Sequence, residues 1–339
     1  MTIQENVPLA SLTTLKVGGN ARAVADVSSI AELREALGFA RENSIPFYVL
    51  GDGSNVLAHD DGYDGLIIRM RMRGIAYEET GQGAVRVRAA AGENWDALVR
   101  DAAAHGLWGF ENLAGIPGTV GAAPVQNIGA YGADISQTLE GVEVYDADAD
   151  TSRTLTAQEC ELGYRDSRFK HEPNLIIVRV DFMLTRVPSP RIEYGDLLAA
   201  KEQGTDLSTP EAIGNVVRAI RNKKFPDLSV SGTAGSFFKN PVLSPEAYAA
   251  LEREYGAVPR FPNPHGVKVP LAFILDKVLN LRGFRLGNAS LFGAQPLVLV
   301  LDAGGKAHEV EALAQHVEAL VQEKTNISIE REVRALPKK

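Results

Sequence analysis

The chain has 339 residues, 45% of them apolar and 23% charged, with a net charge of −8. That length exceeds one ordinary core and predicts two or three units of roughly 100–200 residues. The acidic balance argues against a general nucleic-acid surface. The lone Cys160 excludes an internal disulfide framework and a cysteine-based zinc or iron–sulfur site. The histidines (His59, His105, His171, His265, His308 and His316) form no close ligand pair and no HExxH, so no metal site is expected. The chain carries no apolar run of about 18 residues and no basic segment leading into an apolar one at Met1–Leu12. Neither a membrane helix nor a signal peptide is therefore expected.

In chain order, Ser29–Asn43 predicts an amphipathic helix, with Ile30, Leu33, Leu37 and Ala40 on one face and Ser29 as N-cap. Phe47–Leu50 reads as a buried strand that runs into the turn Gly51-Asp-Gly-Ser-Asn55. Leu66–Arg69 and Val85–Ala90 predict further strands. Glu93–His105 predicts a second helix, stopped by Gly106. Leu113–Gly132 has a different character. It is rich in glycine and nearly uncharged, where a flexible linker would be polar. A buried loop whose backbone approaches a ligand has this composition.

Strand signals dominate from Gly141 to Leu184, and Val187-Pro-Ser-Pro190 breaks them, which places the main boundary there. Beyond it, Thr209–Lys223 predicts a helix with Thr209 as N-cap and Pro210 at the first helical position. Ser244-Pro245-Glu246 opens another. Val269–Asn280 is expected to be helical, Leu297–Leu301 a buried strand, His308–Glu323 an amphipathic helix, and Ile327–Val333 a strand.

Several segments could carry chemistry. Gly51-Asp52-Gly53-Ser54-Asn55-Val56 lacks the third glycine of a dinucleotide fingerprint and has no capped helix after it. It reads either as an anion nest for a pyrophosphate or as a plain tight turn. Arg165, in Gly163-Tyr-Arg-Asp-Ser167, could clamp a carboxylate or form a surface turn with Asp166. Ser236, in Ala234-Gly-Ser-Phe-Phe-Lys-Asn240, could act as nucleophile or proton donor, but no Gly-x-Ser-x-Gly elbow surrounds it. Alternation over Ile329–Arg334 would put Glu330 and Glu332 on one face and Arg331 on the other. Arg218, Arg221, Lys223 and Lys224 read equally as a solvated helix end or a local anion site.

Taken together, GDGSNVL, ENLAGIPGTVGAAPVQNIGAYG, GYRDSRFK, AGSFFKNP and the terminal EREVR stand in the order and rough spacing of one family. From about Thr13 to Arg334 the chain resembles the UDP-N-acetylenolpyruvoylglucosamine reductases, and GYRDS with Tyr194-Gly-Asp196 resembles their longer, type I branch. The resemblance implies an α+β protein: a vanillyl-alcohol-oxidase-like (PCMH-type) FAD-binding domain followed by an α+β substrate-binding domain. The expected divisions are residues 1–190 with a subdomain split near 70, a substrate-closing loop and linker at 191–210, and a C-terminal domain at 211–339. It implies non-covalent FAD, NADPH as hydride donor and UDP-N-acetylglucosamine enolpyruvate as substrate, in a cytoplasmic, monomeric enzyme of peptidoglycan precursor synthesis.

By motif position, the resemblance makes Arg165, Ser236 and Glu332 catalytic. It assigns FAD to Gly51, Asp52, Gly53, Ser54, Asn55, Val56, Ile116, Pro117, Gly118, Gln126, Asn127, Gly129 and Tyr131. It assigns substrate to Tyr164, Tyr194, Lys224, Asn240, Lys268 and Gln295. Phe261 departs from the pattern, standing where some relatives carry tyrosine. Two rivals are an FAD-dependent sugar or alcohol oxidase with the same first domain, and a nucleotide-sugar binding protein without turnover.

Overall fold

The computed structural model describes residues 1–337. The chain divides into two compact units that do not follow chain order. The first comprises Met1–Val7, Ala21–Asp52 and Asp64–Asn222; the second comprises Pro8–Asn20, Gly53–Tyr63 and Lys223–Lys339.

The first unit holds two sheets. One runs in the order Ile3–Pro8, Asn20–Val27, Tyr63–Met70, Phe47–Leu50, and its last pair is parallel. The other is antiparallel throughout, in the order Thr151–Thr156, Leu139–Asp146, Leu175–Thr185, Ala84–Ala90, Ile75–Gly81. Ala84–Ala90 alternates half-buried and buried residues, as a strand with one core face must. The helix Ile30–Glu42 starts where Ser29 accepts a hydrogen bond from the Glu32 N–H. The helix Trp95–Ala104 starts later than its pattern suggests, because Asn94 is the residue that caps it while Glu93 turns back to accept from the Gly74 N–H. Trp95, Phe110 and Phe182 pack ring against ring, with centroids 5.0–5.9 Å apart. Trp95 Nε1 also donates to the Leu113 carbonyl at 3.0 Å, which pins the start of the glycine-rich stretch to this core.

The helix Pro210–Lys224 begins as expected, with Thr209 Oγ1 accepting from the Ala212 N–H. A helix at Gly195–Glu202, not foreseen in the sequence, follows Tyr194 and buries Leu197. Strand signals between Gly141 and Leu184 are interrupted by turns and by a one-turn helix at Arg168–His171.

The second unit has its own core, built from residues such as Phe237, Phe238, Leu275, Leu299 and Val317. Its antiparallel sheet Arg285–Leu286, Ala289–Phe292, Gln295–Leu301 packs with the helix Ala307–Thr325. Asp60 caps that helix, its two carboxylate oxygens accepting from the N–H groups of Ala307 and His308 at 2.9 and 3.0 Å. Ser244 caps Pro245–Tyr255 as predicted.

Two expectations fail here. Val269–Asn280 is not one helix: Val269 still pairs its N–H with the Pro241 carbonyl, Pro270 caps, and one helical turn at Leu271–Phe273 passes into a π-turn at Ile274–Val278. Ile327–Val333 is not a strand. Only Arg331 bridges, to Phe238, and regular pairing resumes at Arg334–Ala335, parallel to Val56–Leu57.

Candidate functional site

The sequence-predicted residues fall in both units, and each unit is described by itself. In the first, the turn after Phe47–Leu50 meets the glycine-rich stretch. A Cβ on Gly51 would lie 2.7 Å from Thr119 Oγ1 and 3.4 Å from the Ala122 Cβ, so glycine is what allows this approach. Asp52, next in the turn, is paired with Arg71 at 3.5 Å.

The stretch itself is a run of short 3₁₀ turns, with left-handed backbone at Gly115, Gly118, Asn127 and Tyr131. Half of it is buried, while Ile116 is half-buried and Pro117 is exposed. The turn around them is held by charge. Asp96 accepts from the Gly115 N–H at 2.6 Å and from Arg218 Nε at 2.9 Å, and Arg221 Nε donates to the Gly115 carbonyl at 2.9 Å. The cations at the end of Pro210–Lys224 are therefore not a solvated face in the case of Arg218 and Arg221. Burial pushes the Arg221 guanidinium below its ordinary pKa, partly offset by Tyr131 and Asp96.

Asn127 binds two neighbouring segments: Nδ2 donates to the Gly163 carbonyl, and Oδ1 accepts from the Ser136 N–H. Arg165 adopts left-handed backbone, with φ 54°. Its Nη2 donates to the Gly129 carbonyl at 2.6 Å, and its guanidinium lies 5.7 Å from the Tyr164 ring centroid. Gly163 and Asp166 close a tight turn around Tyr164 and Arg165, and the Asp166 carboxylate pairs with His171 at 3.1 Å. The structure thus brings Arg165 together with Asn127 and Gly129. It also sets Tyr194 edge-on to Tyr131, centroids 5.3 Å apart, with burial raising both phenol pKa values, Tyr131's to about 12.

In the second unit, Gly53 begins the remainder of the turn. It has φ 63°, and its carbonyl accepts from the Thr14 N–H. Asn55 reaches the C-terminal segment: Nδ2 donates to the Glu332 carbonyl at 3.1 Å, and the Asn55 carbonyl accepts from the Arg334 N–H. Ser54 and Val56 flank it, with Val56 in register with Arg334. Ser236 follows the left-handed Gly235 and bridges Val298. Its hydroxyl is partly exposed and makes no hydrogen bond among the described residues.

Glu332 lies alongside Ser236's segment. The N–H groups of Glu332 and Val333 both point to the Phe237 carbonyl, at 2.8 and 3.4 Å. Two residues facing one is the geometry of a β-bulge, which breaks alternation and re-aims a side chain. This accounts for the broken strand at Ile327–Val333. Asn240, on the same segment as Ser236, accepts from the Leu271 N–H through Oδ1. Lys268 stands opposite Phe261, its ammonium 5.9 Å from the ring centroid. Lys224 is half-buried. Gln295 Oε1 is buried with no hydrogen-bond partner among the described residues. Asp96 and Asp60 were missed from sequence, because Arg218 and Ala307, which they hold, lie 122 and 247 positions away and no local pattern marks either carboxylate.

The model described as "FAD binding domain" matches residues 21–154, and that described as "UDP-N-acetylenolpyruvoylglucosamine reductase, C-terminal domain" matches 227–336. The chain is 38% identical over 333 residues to the UDP-N-acetylenolpyruvoylglucosamine reductase of Pseudomonas syringae pv. tomato, covering 97% of this chain and 98% of that one. The chain belongs to the UDP-N-acetylenolpyruvoylglucosamine reductase family. The relative from Neisseria gonorrhoeae is 38% identical over 340 residues, covering 99% and 98%. Among solved structures, the reductase of Thermus caldophilus superposes with a TM-score of 0.70 at 27% identity, covering 99% of this chain and 100% of that one.

The first unit fits the flavin group this family model describes. Gly51 lets its turn pack against Thr119 with bare backbone, and the apolar turn Ile116–Pro117, half-buried to exposed, suits a ring system. Among the described residues, no group of three or more His, Cys, Asp or Glu could hold a metal ion, and no helix is long and apolar enough to cross a membrane.

Proposed function

We propose that this chain reduces UDP-N-acetylglucosamine enolpyruvate to UDP-N-acetylmuramate with NADPH and non-covalent FAD, as a cytoplasmic monomer serving peptidoglycan precursor synthesis. The observation that carries this reading is the pairing of Ser236's segment with a bulged Glu332, in a chain of this family. FAD, when bound, supplies the two-electron relay that takes hydride from NADPH and delivers it to the vinyl carbon. Gly51–Val56 would hold its phosphates, and Ile116–Gly118 with Gln126, Asn127, Gly129 and Tyr131 its remaining parts.

Hydride addition leaves negative charge beside the substrate carboxylate. Arg165, fixed by the Gly129 carbonyl, supplies a cation in place before that charge develops. Glu332, as the acid, donates a hydrogen bond as that charge develops. Ser236 then protonates the neighbouring carbon; a serine hydroxyl is a weak acid that gives its proton only to a strongly basic centre such as an enolate. Tyr164 stands beside Arg165, Tyr194 closes over the substrate, Lys224 and Asn240 hold its nucleotide diphosphate, and Lys268 makes a further substrate contact. Gln295, with its buried Oε1, accepts a hydrogen bond from substrate. Phe261 offers no hydroxyl, so the contact a tyrosine makes in some relatives is replaced here by packing beneath Lys268.

An anaerobic absorbance titration tests the reading. NADPH should bleach the flavin band, and the enolpyruvyl substrate should restore it stoichiometrically. Recovery only on admitting air would favour an oxidase, and substrate binding without bleaching a non-catalytic binding protein. The S236A variant should keep bleaching by NADPH yet lose about 100- to 1000-fold in the recovery step. Wild-type recovery in S236A would refute the proton-donor role.

A further inference from the structure

Resting on that reading, we propose that Arg331 is a positioning residue for Glu332: by locking onto two carboxylates of the helix Ala307–Thr325, it holds the bulge from which Glu332 acts. Arg331 Nε and Nη2 donate to the two oxygens of Glu318 at 2.6 and 3.0 Å, and Nη1 donates to Glu311 at 2.7 Å. Glu311 and Glu318 are seven residues apart and so share one face of the helix, two turns from each other. The planar fork grips Glu318 bidentately while a third donor reaches Glu311, a fixed geometry that the point charge of lysine does not reproduce.

The position of this clamp matters more than its strength. Arg331 immediately precedes the two N–H groups that converge on the Phe237 carbonyl, and its guanidinium lies 5.9 Å from the Phe237 ring centroid. Phe237 in turn follows Ser236. One side chain therefore touches both segments that carry the proposed proton-transfer groups. A bulge has fewer ladder bonds than a regular pair, so its geometry depends on outside restraints. Here Asn55 holds the Glu332 carbonyl on one side, Lys239 pairs with Glu330 at 2.9 Å on another, and the Arg331 clamp supplies the third restraint. A misplacement of about 1 Å in a reacting group costs on the order of 100-fold in rate.

The test uses the full-length protein with FAD, following the two flavin half-reactions separately, with hydrogen exchange of the free protein as an independent readout. In R331M, bleaching by NADPH should stay within about threefold of wild type, while recovery by the enolpyruvyl substrate falls about 10- to 100-fold. Its pH profile should shift, and exchange should rise in the peptide carrying Glu332. R331K should recover only part of the loss. The E311Q/E318Q double variant, changed only on the helix and close to isosteric, should reproduce the defect; it serves if R331M does not fold. A lowered melting temperature with wild-type recovery rate and pH profile in both variants would overturn the proposal, leaving Arg331 a stabilising residue only. If the wild-type flavin is not restored by substrate, the functional reading itself falls, and the proposal with it, before any variant is compared.

Discussion

Replacing Asp96 by asparagine tests how the glycine-rich stretch is held. The carboxylate accepts from the Gly115 N–H at 2.6 Å and faces Arg218, whose Nε lies 2.9 and 3.0 Å from the two oxygens. Arg218 Nη2 is also 2.9 Å from Oδ1, but off the hydrogen-bond line. The side chains of Arg218 and Asp96 are 11% and 22% exposed, so solvent screens the pair only in part. Asparagine keeps the shape and one acceptor but removes the charge and turns an N–H toward donors. A hydrogen bond to a charged group contributes about 1.5–3 kcal/mol. The favourable placement of Asp96 in the first turn of Trp95–Ala104 adds about 0.3–1. A loss of about 2–3 kcal/mol follows, well short of what a fully buried broken pair would cost. For a unit of this size that lowers the melting temperature by roughly 4–12 °C.

The pH dependence sharpens the test. Burial pushes the Asp96 pKa up, but Arg218, the Gly115 N–H and Arg100 outweigh it and hold it below the ordinary value. A depressed carboxylate stabilises the fold above its unfolded pKa of about 4 and loses that contribution as pH falls through the depressed value. The gap between wild type and D96N should therefore be full at neutral pH and close in acid. Calorimetry and urea titration across that range measure it. A neutral-pH gap under about 0.5 kcal/mol, or one that persists unchanged in acid, would refute the reasoning.

Two further substitutions read single features. Glu111 is 3% exposed, and burial raises its pKa despite the Gly109 N–H that it accepts, so its charge costs stability as pH rises above the ordinary carboxylate range. E111Q should be at least as stable as wild type at neutral pH, by urea unfolding, and a loss above about 1 kcal/mol would contradict this. Gly53 has φ 63°, and a Cβ there would sit 2.2 Å from the Leu12 carbonyl oxygen. G53A should lose more than about 2 kcal/mol from left-handed strain and backbone displacement together, and a calorimetric change under 1 would show that the close approach is not real.

What the sequence made legible was local. Ser29, Thr209 and Ser244 announce their helices because a cap acts on an N–H three residues away. The buried character of Leu113–Gly132 followed from its missing charge. The bulge at Glu332 was not legible, since its cause is the Phe237 carbonyl, which belongs to another segment. Nor was the use of Arg218 and Arg221: their alternation on a helix end suits solvent as well as it suits Asp96 and Gly115. The pairing of Asp166 with His171, five positions on, was likewise not marked by any local pattern. The groups that hold the proposed site residues in place, such as Asp96 at Gly115 and Arg331 beside Glu332, needed the fold.

The tie between Asn55 and Glu332 spans 277 positions in the chain. During synthesis its first half leaves the ribosome long before its second half exists. The segments Pro8–Asn20 and Gly53–Tyr63 must therefore wait, without their own core, until the last stretch of polypeptide arrives. Contacts of such separation form late and slowly, and the exposed intermediate is the state most open to chaperones, proteases and aggregation. A premature stop that removed only the residues after Ser328 would thus do more than delete Glu332. It would leave the second unit without its closing strand, and the damage would show as poor yield before it showed as lost activity.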